Sequence, residues 1–204
     1  MKSRYFNRLL ISLLVGLFVL ACSLPGFIPL PSTSKSTPLP EMEKDADNVL
    51  EVLKAQNFYR PESLAQEQYS EADFAKPGTL TFTAQVKNDK PVYFSYGWCA
   101  TSEEILQQNY QHIAVELYFN GDRLDNDVVH SFVFTTAAGM YCGDFGVLLS
   151  DWPPGEYQME AVATFDEKIN DGLADYEAGD YIFEYTVTVD EQKEKEGVLL
   201  TPFL

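Results

Sequence analysis

Along the second half of the chain, apolar and polar residues alternate with a period of two. Between Thr79 and Lys87 every second residue is apolar, and the intervening residues are threonine, glutamine or lysine. Because successive side chains of a strand point to opposite faces, this alternation predicts a strand with one buried face. Similar patterns predict further strands at 92–98, 113–119, 128–135, 144–149, 156–165 and 181–189. Seven short strands separated by turns, with little helix, predict a mainly β fold of two packed sheets.

Helical spacing of apolar residues is confined to short segments of the chain. From Asp45 to Gln56, pairs of aliphatic residues recur among charged residues and predict a short amphipathic helix. A second short segment begins at Pro61 and extends to about Phe74. Thr101 and Glu104 occupy the N-cap and N3 positions of a capping box, which predicts a helix that ends near Tyr110.

A short motif precedes the strand predicted at 156–165. It reads Trp152-Pro153-Pro154-Gly155-Glu156-Tyr157 and resembles the Gly-x-Tyr sequence that begins the penultimate strand of bacterial immunoglobulin-like domains. The resemblance covers roughly residues 79–189 and implies an immunoglobulin-like two-sheet sandwich, in which the Tyr157 hydroxyl anchors the strand corner. We therefore expect a mainly β domain at 77–190, with a short N-terminal helical segment and one short inserted helix.

Two of the three cysteines, Cys99 and Cys142, form an even pair within the predicted domain. In an exported protein such a pair predicts a disulfide, and two buried free thiols are the alternative. Cys99 falls on the strand face opposite Trp98, and Cys142 falls on the face of Asp144, so both cysteines occupy the outward register. We therefore expect a disulfide at the periphery of the sandwich and not between its sheets, unless a bulge changes the register.

The amino-terminal segment has the anatomy of an export signal. Basic residues at positions 2, 4 and 8 precede an apolar run from Leu9 to Leu20. The tetrad Val19-Leu20-Ala21-Cys22 then resembles the lipobox of bacterial lipoproteins. The resemblance implies that Cys22 becomes the first mature residue and carries diacylglycerol, which anchors the protein to the bacterial cell membrane on its extracytoplasmic side. The alternatives are an ordinary secretory signal, and a transmembrane helix for which the apolar run is too short.

Flanking regions complete the predicted organisation. Residues 1–21 are the signal peptide, and residues 22–40 form a Pro/Ser/Thr-rich tether whose prolines favour an extended chain. Residues 41–76 are a short helical lead-in to the sandwich. Residues 191–204 form a charged tail with an apolar end, and the sequence leaves open whether that end docks on the domain.

Composition limits the partners of this chain. Its 204 residues carry a formal net charge of −17, and 46% of them are hydrophobic, which is typical of a folded domain rather than a disordered polymer. Nucleic acid repels such an acidic protein, because its binding requires basic side chains on phosphates. The charge favours cations and basic partners. We therefore expect an extracytoplasmic protein or a glycan as partner, and no nucleic acid.

The sequence contains none of the HExxH, GxSxG or P-loop motifs, and His112 and His130 have the pattern of surface or hydrogen-bonded residues. We therefore predict a non-enzymatic binding or structural role, with no catalytic residue, metal ligand or cofactor. The acid-rich loop at 165–181 and outward-facing tyrosines such as Tyr93 and Tyr118 support a carbohydrate- or calcium-dependent ligand-binding module as the alternative. A secreted hydrolase that uses two carboxylates is the weakest alternative.

Overall fold

The computed structural model describes residues 39–65 and 69–190, and the alternating segments of the sequence form its strands. The described strands are β1 (Glu41–Met42), β2 (Gly78–Lys87), β3 (Val92–Ala100), β4 (Ile113–Phe119), β5 (Asp122–Arg123), β6 (His130–Thr135), β7 (Tyr141–Ser150), β8 (Gly155–Phe165), β9 (Ile169–Asn170), β10 (Asp175–Tyr176) and β11 (Gly179–Asp190). The described helices are α1 (Ala46–Ala55), α2 (Pro61–Ala65), α3 (Glu71–Phe74) and α4 (Glu103–Asn109).

The longer strands form two sheets. In sheet 1, β7 pairs with β3 along one side and with β6 and then β1 along the other, always antiparallel. Sheet 2 has the order β2-β11-β8-β4-β5, in which β2 and β11 are parallel and the other pairs antiparallel. Strands β6 and β7 begin at His130 and Tyr141 rather than at positions 128 and 144. The prediction of a mainly β two-sheet sandwich is confirmed.

The core between the sheets contains the apolar residues of the alternating pattern. Phe94 and Val147 of sheet 1 and Tyr185 and Val187 of sheet 2 are buried in a single cluster. The rings of Phe94 and Tyr185 meet edge to face, with their centroids 5.7 Å apart. Because alternate side chains of these strands enter the core, the opposite faces are left to helices, loops or solvent.

The connection from β7 to β8 has the predicted tyrosine corner. Tyr157 is a buried residue, and its hydroxyl donates a hydrogen bond of 2.6 Å to the carbonyl oxygen of Pro153. Its ring packs edge to face on Trp152, whose indole N–H donates to the carbonyl oxygen of Leu149. The predicted role of Tyr157 is confirmed, and the corner fixes the direction in which β8 enters sheet 2.

The predicted disulfide between Cys99 and Cys142 is present and joins directly opposed residues of β3 and β7. It lies on the outer face of sheet 1, opposite the side on which Trp98 enters the core, as the register of the strands predicts. The two cysteines are 43 residues apart, so the bond stabilises the fold by about 4 kcal/mol through restriction of the unfolded chain.

Helix α1 covers part of the outer face of sheet 1. The side chain of Asp45 caps its first turn by accepting a backbone amide, and the left-handed backbone of Gln56, at φ 54°, ends it. Val49 of α1 packs on Tyr93 and Leu148 of sheet 1. The helix predicted from the amphipathic pattern is confirmed. The expectation of an exposed ring at Tyr93 is wrong, because α1 and its following turn bury that ring.

Two other helical predictions need correction. Helix α4 is capped by Ser102, whose Oγ accepts the Ile105 amide at 3.3 Å, and not by Thr101. The Thr101 amide instead donates to the carbonyl oxygen of Asp171, which holds Thr101 against the turn between β9 and β10. The segment predicted from Pro61 to Phe74 contains two separate helices, α2 and α3.

The predictions for both ends of the chain lie outside the described residues. They concern the signal peptide at 1–21, the lipidated Cys22, most of the tether at 22–40 and the tail at 191–204. Within residues 39–65 and 69–190, no helix has the length and hydropathy needed to cross a membrane.

The tyrosine corner gives a stability prediction. We expect Tyr157→Phe to lower the free energy of unfolding by about 1–2 kcal/mol, because it removes the hydroxyl–carbonyl hydrogen bond and keeps the ring. Urea unfolding followed by tryptophan fluorescence measures this change. The control is Tyr118→Phe, whose hydroxyl contacts Glu116 on the sheet surface, and which should change the free energy by less than about 0.5 kcal/mol. Equal effects of the two substitutions would contradict the role of the corner.

Candidate ligand-binding cleft

A cavity of about 350 Å³ opens beside β3, the edge strand of sheet 1. Helix α2 packs on β3 and also on β2, the edge strand of sheet 2, so the helical lead-in covers this side of the sandwich. We call the cavity the β3 cleft. Its described lining residues are Arg60, Glu62, Phe74, Ser95, Tyr96, Gly97, Cys99, Phe134, Cys142, Gly143, Asp144, Ala161, Phe183 and Tyr185.

Backbone pairing and ring contacts together place Arg60 in the wall of the cleft. Tyr59 forms an isolated parallel bridge with β3, in which its carbonyl oxygen accepts the Tyr93 amide at 2.9 Å. The guanidinium carbon of the next residue, Arg60, lies 5.2 Å from the centroid of the Tyr93 ring and 5.7 Å from that of Phe58. A glycine is needed at position 146 of β7, because a Cβ there would lie 2.4 Å from the Tyr93 ring. Gly146 therefore makes room for the ring that supports Arg60.

The guanidinium of Arg60 contacts two carboxylates. Its Nη2 donates to Asp144 Oδ2 at 2.9 Å, and its Nη1 lies 3.4 Å from Glu62 Oε1. The Ser95 hydroxyl also donates to Glu62 Oε1, at 3.2 Å. The side chain of Asp144 is only 5% exposed and that of Glu62 is 22% exposed. When both acids are ionised, this cluster therefore has one negative charge in excess.

Burial changes the acidity of both carboxyl groups. It raises the pKa of Glu62 to about 7. The Glu62 backbone amide and the Arg60 guanidinium oppose this rise, and the charge of Asp144 adds to it. Burial also raises the pKa of Asp144, although the Arg60 guanidinium opposes this change. Near neutral pH, Glu62 is consequently divided between its protonated and ionised forms.

One oxygen of each carboxyl group lacks a donor. Glu62 Oε2 and Asp144 Oδ1 are both buried, and neither accepts a hydrogen bond of good geometry among the described residues. The Glu62 backbone amide and the Ser95 hydroxyl lie near these carboxyl groups and lower their pKa values, but they do not complete a bond to these two oxygens. A buried acceptor without a donor costs about 1–3 kcal/mol. A ligand that brings N–H donors and a positive charge would satisfy these oxygens and balance the excess charge. The arrangement is therefore suited to binding a cationic group.

Sequence reasoning missed this cleft. It used Asp144 only to define a strand face, and it did not consider Arg60, Glu62, Ser95 or Gly97 as site residues. Asp144 on the outward register of a strand is an ordinary surface pattern. The hydrogen bond that makes it a site residue comes from Arg60, which lies 84 positions earlier in the chain.

The acidic loop at 165–181 uses several of its oxygens for internal contacts. Asp171 Oδ1 accepts the amides of Leu173 and Ala174, each at 2.7 Å. Lys168 Nζ lies 3.1 Å from Asp175 Oδ2 and 3.0 Å from a Glu177 oxygen. The Lys168 ammonium group therefore already pairs with two of these acids. Within the described part of the chain, no group of three or more His, Cys, Asp or Glu side chains is arranged to hold a metal ion. These contacts do not favour the calcium alternative.

Local partners are also found for Tyr118, for Tyr176 of the acidic loop and for the two histidines. The Tyr118 hydroxyl bonds Glu116 at 2.9 Å, and Tyr176 packs edge to face on Trp98 with centroids 4.7 Å apart. The two histidines also bond neighbouring groups: His112 Nδ1 contacts Asp166 at 2.9 Å, and His130 Nε2 contacts the Glu43 carbonyl oxygen at 3.0 Å.

Glu62 should make the stability of the domain depend on pH. Because its pKa is higher in the folded protein than in the unfolded chain, the folded state binds the proton more tightly. The free energy of unfolding should therefore fall as pH rises from about 4.5 to about 7, by roughly 1–3 kcal/mol. Glu62→Gln has no carboxyl group to lose this proton. Its free energy of unfolding should therefore exceed that of the parent at pH 8 and not at pH 4.

Urea unfolding across this pH range measures the effect. The matched control is Glu184→Gln, which removes an exposed carboxyl group of β11 and should leave the pH dependence of the parent unchanged. If Glu62→Gln also follows the parent at every pH, the raised pKa of Glu62 is refuted.

Comparison with known proteins adds little to this description. No protein-family model matches the sequence. No curated protein matches it either. Among solved structures, the crystal structure of the cysteine protease inhibitor EhICP2 from Entamoeba histolytica matches with a TM-score of 0.31 and 11% sequence identity, over 56% of this chain and 96% of that chain. A likeness this distant carries no argument about the ligand or activity of this chain.

Proposed function

We propose that this chain is an extracytoplasmic binding domain without catalytic activity, and that it takes a cationic group in the β3 cleft. The observation that supports this function is the arrangement of Glu62 and Asp144 around one guanidinium, with one buried oxygen of each acid lacking a donor. An ammonium or guanidinium group supplies both the missing donors and the missing charge.

The rest of the cleft suits the same class of ligand. Phe74, Tyr96 and Phe183 line it, and aromatic rings attract cations through their faces. A volume of about 350 Å³ is within the range of ligand-binding pockets and holds one side chain or a small amine. The net charge of −17 gives the whole protein a field that attracts cations and repels anions.

The hydrolase alternative is weaker. A glycosidase places its two carboxyl groups on either side of the bond that it cleaves. Here Arg60 contacts both Glu62 and Asp144, so a guanidinium occupies the position that a substrate needs between two catalytic acids. The same contacts are compatible with a binding site, because Arg60 leaves Glu62 Oε2 and Asp144 Oδ1 without a donor.

The setting of this domain is part of the proposal. A disulfide such as Cys99–Cys142 is typical of proteins outside the reducing cytoplasm. The lipobox-like tetrad that ends in Cys22 supports anchoring by diacylglycerol, and the proline-rich tether at 22–40 supports a position away from the membrane surface. The domain would then present the β3 cleft to partners outside the cell membrane.

Binding of n-butylammonium tests the function directly. We expect calorimetric titration to show binding to the parent and to Glu184→Gln, and binding about tenfold weaker to Glu62→Gln, because that variant loses the excess negative charge. Affinity should be higher at pH 8 than at pH 6, since protonation of Glu62 near pH 7 removes the same charge. Butyrate and n-butanol should not compete. Equal affinity for butyrate and n-butylammonium would contradict a cation site.

Mass spectrometry of the native protein tests the anchor. We expect the membrane fraction to contain a chain that begins at Cys22 and carries diacylglycerol, and Cys22→Ser to block both cleavage and membrane attachment. A chain in the membrane fraction that keeps residues 1–21, or an unmodified mature chain in the culture fluid, would contradict lipidation.

A further inference from the structure

We propose that the free edge of β3 binds an extended segment of a partner polypeptide as an added strand, and that a basic side chain of this segment enters the β3 cleft. The basic side chain depends on the proposed function, whereas the strand pairing depends on separate observations about the edge of sheet 1. The partner class is thus an extended polypeptide with a lysine or arginine among apolar residues.

The first observation is that β3 has an unpaired side. Its pairing with β7 runs without interruption from Val92 to Ala100. The Tyr93 amide points away from β7, because it donates to the Tyr59 carbonyl. Since backbone groups alternate along a strand, the amides and carbonyls of Ser95, Gly97 and Cys99 point in the same direction as that amide. No backbone partner for these groups is found within the described residues.

The second observation is that this edge already accepts a strand. Tyr59 pairs with β3 in a parallel bridge, and helix α2, which begins at Pro61, then packs on β3 beside the buried Ser95. The edge that stays accessible therefore runs from Gly97, which is exposed, to Cys99, and it follows a pairing that the chain itself begins. At about 3.3 Å per residue this edge is about 7 Å long, which matches the central residues of a short added segment.

The third observation is that the cleft has an acidic side, on the outer face of sheet 1, and an aromatic side, toward the gap between the sheets. Glu62 bonds Ser95 on the outer face of sheet 1, and Asp144 lies opposite Gly97 on that face. Phe74 and Phe183 stack on each other, with centroids 6.2 Å apart, toward the gap between the sheets. Because side chains alternate along an added strand, a basic residue facing the acids places its apolar neighbours toward these rings.

Charge decides among the polypeptides that could occupy this edge. A second copy of this chain carries a net charge of −17 and is repelled. The chain's own segment at 191–196 reads EQKEKE, in which acids outnumber lysines. A basic segment of another protein complements Glu62 and Asp144 and is the occupant that we infer.

Short peptides test this inference. The probe is the acetylated and amidated pentapeptide Thr-Val-Lys-Val-Thr, and the reference is n-butylammonium, which copies the lysine side chain without a backbone. We expect the pentapeptide to bind about tenfold more tightly than n-butylammonium. Two further peptides are methylated on backbone nitrogens, the first at the lysine and the second at both valines. Because the amides that face β3 alternate along an added strand, only one of these two peptides loses them. One of these two peptides should lose the added affinity.

A matched pair of variants tests the same edge from the protein side. Gly97→Pro removes an edge amide, and proline is tolerated on edge strands. Gly97→Ala keeps the amide, and its Cβ would meet its nearest neighbour, Asp144 Oδ1, at an ordinary 3.6 Å. Because a side chain at position 97 lies next to Asp144 Oδ1 and lowers the affinity for both ligands, the readout is the ratio of pentapeptide affinity to n-butylammonium affinity. We expect this ratio to fall to about one in Gly97→Pro and to stay near that of the parent protein in Gly97→Ala. Should Gly97→Pro fail to fold, the N-methylated peptides still decide the outcome.

The outcomes separate the two proposals. If n-butylammonium binds and both N-methylated peptides bind as tightly as the parent peptide, strand addition is refuted and the proposed function stands. A peptide with norleucine in place of lysine tests the charge. If n-butylammonium does not bind, and the norleucine peptide binds as tightly as the lysine peptide, the cation site is refuted. The inference that the partner is basic is then refuted as well.

Discussion

The placement of one guanidinium between two carboxyl groups is the interaction on which the candidate site depends. Arg60 is held by the rings of Tyr93 and Phe58, and it contacts Glu62 and Asp144 with its two terminal nitrogens. Without Arg60, two buried acids would face each other with no positive charge, at a cost of several kcal/mol. With it, the cluster is nearly balanced and retains one negative charge for a ligand to neutralise.

The charge balance among Arg60, Glu62 and Asp144 explains why the destabilising carboxyl group of Glu62 is kept beside an edge strand. Burial raises the pKa of Glu62, and each acid has an oxygen without a donor, so these two carboxyl groups lower the stability of the fold. Natural proteins often protect an exposed strand edge with charge, and the acids beside β3 exclude other acidic chains. The same charge admits a basic segment, so protection of the edge and selection of the partner follow from the same residues.

Local patterns predicted most of the fold and almost none of the site. Alternation predicted the strands, and the start of β8 predicted the hydrogen bond of Tyr157, because both depend on neighbouring residues. Thr101 and Ser102 are both good caps, and the choice of Ser102 depends on a bond from the Thr101 backbone to a distant turn. Register placed Tyr93 on the outer face, but it could not show that α1 covers that face. The β3 cleft was missed for the same reason, since its members come from distant segments.

The charge state of Glu62 is the most direct test of this account. Carbon-detected NMR of protein labelled at the side-chain carboxyl carbons of glutamate can follow each group through a pH titration, and comparison with Glu62→Gln assigns the signal. The account predicts a midpoint for Glu62 near 7, which moves lower when n-butylammonium is bound, because the ammonium group stabilises the ionised form. A midpoint near the ordinary glutamate value of about 4.3, unchanged by the amine, would contradict it.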